Sequence, residues 1–345
     1  MVEPPPLPAY PSVAFVGGEY LAARDSEMWT SSDGITWSSE AMFEEFRGSR
    51  VRFYDVEGGA WATTSAPDVR SGDFGLWRLE NERWVPVETN VASLEATVDL
   101  GWQGTVTGEP TRAGSIVVIP ATMSDGQLEY PFLWVGNHEQ LDSVAAPWSS
   151  KTSRSERVRT SVVALRDRFI AASFRTGAEP HMDLEMWRSF DGRAWDLIDL
   201  PVAVTEGLDM LSLQSGAGRL MLSTMNSLVG GPQSSTLWTS EDGEPWLQTG
   251  ADARTRPGDV DLGAVDLHHT GSIWMAASNV ASSSTGNEWI AVSLSEDGLT
   301  WESVPSGADL GTQGGFAAGF AGDALFVWVP SEAGVGVLWV GRLEG

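Results

Sequence analysis

One string recurs along this chain and limits what it can fold into. It reads Trp29-x-Ser31-x-Asp33-Gly34-x-x-Trp37, then Trp187-x-Ser189-x-Asp191-Gly192-x-x-Trp195, then Trp238-x-Ser240-x-Asp242-Gly243-x-x-Trp246. A fourth copy runs Ser295-x-Asp297-Gly298-x-x-Trp301. Two further copies, around Leu76-Trp77 to Trp84 and Leu133-Trp134 to Leu141, have a shorter hairpin and lack the Ser and Asp, and a last one stops at Leu338-Trp339-Val340-Gly341-Arg342. Copies lie about 50 residues apart, the length of four strands with their turns. A unit of that size cannot hide its apolar face by itself, so neighbours must stack side by side. The expectation is all-β: a seven-bladed β-propeller with four antiparallel strands per blade. It fills residues 13–345 as one domain after a Pro-rich segment, 1–12, which is the candidate for closing the last blade.

Composition agrees with that reading. The chain holds 17 Trp and 38 Gly, packing units and turn residues respectively. Period-two alternation divides the fourth unit into strands near Thr160–Leu165, Phe169–Phe174, Leu184–Ser189 and Ala194–Leu200. The seventh shows only Phe316–Phe320, Ala324–Val329 and Val337–Gly341. In the repeated hairpin the Ser hydroxyl and Asp carboxylate can bond the turn's own backbone, Gly can take the left-handed position, and Trp can cover the turn.

The Ser-x-Asp-Gly-x-[Thr/Ala]-Trp string resembles the Asp box of the bacterial neuraminidase repeat, in a variant one residue shorter between Asp and Gly. The resemblance covers nearly the whole chain and places Asp-box hairpins in blades 1, 4, 5 and 6. It implies a sialidase-like scaffold in which Ser31, Asp33, Gly34, Trp37, Ser189, Asp191, Gly192, Trp195, Ser240, Asp242, Gly243, Trp246, Ser295, Asp297, Gly298 and Trp301 are structural. It does not bring the sialidase catalytic set with it. There is no Arg-Ile-Pro string near the start, and Tyr10, Tyr20, Tyr54 and Tyr130 are the only tyrosines.

A formal net charge of −26 opposes nucleic-acid and anionic-membrane binding, since phosphate affinity rests on Lys and Arg. Zero cysteines remove disulfides, thiol catalysis and Cys-based zinc sites. No apolar run approaches the length of a membrane span. His268-His269 reads as an exposed pair in a short turn, and Asp259-Val260-Asp261-Leu262-Gly263 lacks most of a calcium loop, so no metal and no cofactor are expected.

Function is expected where loops vary. First-to-second and third-to-fourth turns repeat, whereas second-to-third loops and the connections between blades differ from unit to unit, and irregular loops on a rigid scaffold are where ligands bind. That end collects Asp68, Arg70, Asp73, Tyr130, His181, Asp183, Trp148, Arg154, Arg157, Arg159, Arg254 and Arg256. The arginines and the two aromatics Trp148 and Tyr130 are the candidate ligand-binding set, because a guanidinium fork pairs two oxygens at once. Asp68, Asp73, Asp183 and His181 are the only candidates for catalysis. The leading expectation is a monomeric, non-enzymatic binding scaffold for a protein partner or an envelope glycan, in an extracytoplasmic bacterial setting. The alternatives are a glycan-active hydrolase of the Asp-box type and an assembly factor resembling the photosystem II assembly propellers.

Overall fold

The computed structural model describes residues 12–342 outside the segments 66–73, 91–102, 177–182, 227–233, 250–259, 305–316 and 330–336 and some shorter stretches of up to five residues. The N-terminal closing strand expected within residues 1–12 therefore lies almost wholly outside the described residues. The chain divides into two compact units, one running through Ile198 and the other beginning at Asp199.

The first unit carries four blades. Blade one is the meander Ser12–Val16, Glu19–Arg24, Glu27–Ser31 and Ser38–Glu40, and blade two is Arg50–Val56, Gly59–Ser65, Phe74–Glu80 and Arg83–Pro86, each paired in sequence order. Blade four has the same order over Arg157–Leu165, Arg168–Thr176, Asp183–Ser189 and Asp196–Ile198, close to the alternation read from sequence. Blade three is larger, a seven-stranded sheet. Its first strand is broken into Gln103–Val106 and Thr111–Ala113, both paired to Ile116–Ser124, with Leu128–Gly136 and Gln140–Ala145 following. Thr152–Ser153 extends it at one end, and Glu88–Asn90 pairs in parallel along its outer edge against Gln140–Asp142.

The second unit holds blade five, Leu208–Gly216, Arg219–Asn226, Ser234–Ser240 and Leu247–Gln248, and blade six, Val260–Thr270, Ile273–Ser282, Glu288–Ser295 and Glu302–Val304. After them come only Ala317–Ala321, Ala324–Val329 and Val337–Arg342, a three-stranded sheet. This corrects the expectation of seven blades: among the described residues six sheets reach four or more strands, and the last repeat shows three. The Leu338-Trp339 pair marks the single strand Val337–Arg342, and one such strand does not by itself make a four-stranded sheet.

Within each unit the blades seal one another along seams. First strands of neighbouring blades touch, as Ser12–Val16 does Arg50–Val56 and Leu208–Gly216 does Val260–Thr270. A hydroxyl stitches three of these seams: Phe53 N–H donates to Ser12 Oγ at 3.1 Å, Thr111 Oγ1 donates to the Val162 carbonyl at 2.7 Å, and Leu267 N–H donates to Ser212 Oγ at 3.4 Å. Apolar side chains fill the rest. The seam of blades one and two buries Ala14, Leu21, Met28, Val51, Phe53 and Trp84, and that of blades three and four buries Val118, Leu133, Val135, Phe169 and Ala171. Segments linking blades drop an apolar residue into the seam they cross, namely Phe46, Val87 and Trp148.

Candidate functional site

The repeated turn is a self-contained hydrogen-bonded knot. In blade one, Ser31 Oγ accepts from the amides of Gly34 at 2.8 Å and Asp33 at 3.3 Å while donating to Asp33 Oδ1 at 3.0 Å. The same Oδ1 accepts from the amides of Ile35 at 2.8 Å and Thr36 at 2.7 Å, and Thr36 Oγ1 donates to Oδ2 at 3.2 Å. Trp37 Nε1 closes the knot on the Gly34 carbonyl at 3.0 Å. Blade four repeats this around Ser189, Asp191, Gly192 and Trp195, and blade six around Ser295, Asp297 and Gly298. The glycine takes φ +71°, +70° and +71° in the three turns, as a left-handed turn position requires.

Such donors stabilise the ionised carboxyl. The Thr36 and Ile35 amides hold Asp33 at about 2, below the ordinary 3.8, and the Thr300 and Leu299 amides do the same for Asp297, also at about 2. The Ala194 and Arg193 amides lower Asp191 likewise. Blade five departs from the pattern. Ser240 Oγ still accepts from Gly243 at 2.9 Å, but Pro245 stands where the other turns present an amide donor, so Asp242 cannot receive that bond. In blade three the carboxamide of Asn137 substitutes for the Asp, accepting from Glu139 at 2.8 Å and Gln140 at 2.9 Å. In blade two the residues Asn81 and Glu82, both at positive φ, form the tight two-residue hairpin turn.

The hydrogen bonds of these aspartates go to their own turns. Replacing Asp33 by Asn tests the electrostatics. The folded pKa lies below the unfolded one, so the stabilisation is complete above 3.8 and is lost as pH falls toward about 2. The stability gap between wild type and Asp33→Asn, measured by urea unfolding, is expected to narrow between about pH 6 and about pH 3. A gap independent of pH would show that the amide bonds do not favour the charged form.

At the opposite end of the blades the connections are longer and irregular. Six residues separate Thr176 from Asp183 and seven separate Asn226 from Ser234, while two separate Leu165 from Arg168 and Gly216 from Arg219. Blades one and three are exceptions, with only two residues between Arg24 and Glu27 and three between Ser124 and Leu128. The third-to-fourth turns that carry the Ser and Asp are constant rather than short, six residues between Ser31 and Ser38 and again between Ser295 and Glu302.

Of the sequence-predicted ligand residues, Asp68, Arg70, Asp73, Arg154, His181, Arg254 and Arg256 lie outside the described residues. Arg157 and Asp183 end strands at the long-connection end of blade four, opposite Thr176 and Arg175. Arg159 is exposed on the same first strand. Tyr130 is half-buried against the seam of blades two and three. Trp148 requires correction as a ligand residue. It is 5% exposed, its ring 5.8 Å from Trp195 and 6.3 Å from Trp187. It plugs a seam because the linker that carries it runs across apolar surface.

His268 and His269 also sit differently from expectation. They belong to the strand Val260–Thr270 and not to a turn, so alternation sends them to opposite faces. Sequence reasoning missed a group around Tyr54. Its phenol is raised above 10.0, chiefly by burial and also by the charge of Glu109, while Thr63 and Arg52 act the other way. The Arg52-x-Tyr54 spacing on a strand was the available signal, since residues two apart share a face. No group of three or more metal-ligating side chains occurs among the described residues.

No family model matches this sequence, and no curated protein does. Solved structures do share its fold. A puromycin-hydrolyzing peptidase of Mycobacterium tuberculosis is similar over 97% of this chain and 52% of its own, at TM-score 0.54 and 10% identity. The polysaccharide lyase Uly1 is similar over 96% of this chain and 90% of its own, at TM-score 0.50 and 9% identity. The α-L-arabinofuranosidase Arb93A of Fusarium graminearum reaches TM-score 0.46 at 12% identity, over 85% of this chain and 92% of its own. At these identities the likeness describes the fold, an all-β assembly of propeller blades.

Proposed function

We propose that this chain handles a carbohydrate polymer at the long-connection end of its blades, as a glycan-active protein. The observation that carries the reading is the division of labour inside each blade. The most repeated polar residues are consumed in holding turns at one end, as the amide donors on Asp33, Asp191 and Asp297 attest, which leaves ligand chemistry to the irregular connections at the other. A polysaccharide lyase offers a precedent for this fold serving a polymeric sugar. Arg157 and Arg159 supply cationic contacts on blade four, with Arg70 and Arg154 from connections of the same unit, and Arg254 and Arg256 are proposed as contacts of the other unit taken by itself. Asp68, Asp73 and Asp183 are the carboxylates proposed for acid/base work if the sugar is cleaved, with His181 beside Asp183 in sequence. An extracytoplasmic setting follows from a polymeric sugar ligand.

The test uses a panel of neutral and acidic polysaccharides, with binding read by affinity electrophoresis and cleavage by release of new chain ends. Retardation by at least one polysaccharide supports the reading. Loss of chain-end release in Asp68→Asn/Asp73→Asn/Asp183→Asn with binding retained assigns the carboxylates to catalysis. Binding without cleavage in the wild type instead favours a glycan-binding scaffold. A panel with neither outcome overturns the proposal in favour of a protein partner.

A further inference from the structure

The first strand of blade six carries two adjacent histidines for which the turns and loops give no role. His268 faces the three-stranded sheet. Its Cε1 would lie 3.7 Å from a Cβ placed on Gly319, and its Nε2 is 3.2 Å from Asp266 Oδ2, two residues earlier on the same side of the strand. His269 faces blade five. Its ring lies so close to Gly216 that a Cβ there would come within 2.1 Å of the imidazole Cγ, and its centroid is 4.5 Å from that of Trp274. Nε2 of His269 is buried and has no hydrogen-bond partner among the described residues.

A neutral imidazole suits that place, being flat and able to leave one nitrogen lone pair unused. An imidazolium does not, because both N–H groups then need acceptors and the charge needs either water or a counter-ion. The charged groups around the seam offer little help. On blade five Arg219 is a cation engaged with Glu241 at 3.9 Å. On blade six Asp266 lies on the opposite side of the strand with His268, and Asp297 is held by the amides of Leu299 and Thr300. Met221 and Trp274, which pack between the two blades, carry no charge.

We infer that His269 makes the contact between blades five and six an acid-sensitive latch, closed around the neutral imidazole and released when that imidazole takes a proton. Burial lowers the pKa of His269 below its ordinary 6.5, in the direction the geometry requires. An opened seam therefore binds more protons than a closed one below 6.5, and the closed state loses stability as pH falls from there. The latch lies at the short-turn end of the blades, so its behaviour is separable from any ligand binding at the long connections.

Hydrogen exchange of the whole chain at about pH 7.5 and about pH 5.5, corrected for intrinsic rates, reads the latch directly. Amides of Gly216–Arg219 and Ile273–Met275 are expected to lose protection by about tenfold or more at the acid value, while Ile119 and Ala121 in blade three keep theirs. The chain with His269→Phe, flat and without a titrating nitrogen, is expected to show equal seam protection at both pH values, and His268→Asn to keep the acid loss. Equal acid loss in His269→Phe overturns the inference. Should that variant not fold, the imidazole of wild-type His269, followed by NMR, decides the matter: a midpoint below 6.5 supports the latch, and one at or above 6.5 overturns it.

Discussion

Replacing Phe46 by alanine is expected to cost about 3–5 kcal/mol, the range for deleting a fully buried phenyl ring from a packed core. Phe46 is 0% exposed and stands in the linker between blades one and two, at the end of the short turn Glu44–Phe46. Four other rings surround it: Trp84 at 5.3 Å, Trp77 at 5.4 Å, Phe43 at 5.9 Å and Phe53 at 6.1 Å. Edge-on and tilted contacts of this kind add to the area term. The hole cannot close cheaply, because Phe53 and Trp84 are already stacked on each other at 5.4 Å and belong to a different blade from Ala14 and Leu21. Urea unfolding followed by tryptophan fluorescence measures the loss. A cost below about 1 kcal/mol would mean that the linker does not occupy the seam.

The second large effect is expected at Gly192, where alanine should cost about 2–5 kcal/mol, the sum of two causes. The residue sits at φ +70°, which costs a side chain about 1–2 kcal/mol. A Cβ there would also lie 2.6 Å from Val118 Cγ2 and 2.9 Å from Val135 Cγ1, and overpacking the seam in this way adds about 1–3 kcal/mol. Gly114 separates the two causes. It takes φ +59° and has nothing within 4 Å of where a Cβ would stand, so alanine there should show the backbone cost only. Equal losses at both positions would refute the idea that the blade-four turn leans on blade three. Arg193 makes the same connection beside it, its Nη2 donating to Asp142 Oδ2 at 2.6 Å.

These two positions mark what the sequence could and could not convey. Gly192 was legible, because the same dipeptide recurs between Trp residues and a turn with that chemistry has few conformations open to it. The strands were legible as well, since alternation fixes which residues face a seam. Phe46 and Trp148 were not. Both lie in linkers with no period, and a lone aromatic in such a stretch reads equally as a ligand contact or a buried plug until the neighbouring surfaces are known. Tyr54 was hidden for a related reason: its mostly buried phenol depends on Thr63 and Glu109, and Glu109 comes from another repeat. The blade count failed at the last repeat, where a Leu-Trp pair like the others marks one strand of a sheet in which three are paired. The candidate carboxylates and most of the arginines were chosen from irregular connections, where sequence offers position along the chain but no geometry.

The strand Glu88–Asn90 belongs by position to the second repeat and by hydrogen bonding to the third blade, where it lies along the outer edge. Repeats here are consequently not interchangeable bricks. Excising residues in steps of one repeat length would strip a neighbour of its border and bare a row of unpaired backbone groups, a ready template for sticking to another molecule. Shuffled or shortened versions of this protein should therefore be cut beyond Asn90, so that each sheet keeps the hem that a different stretch of chain sews onto it.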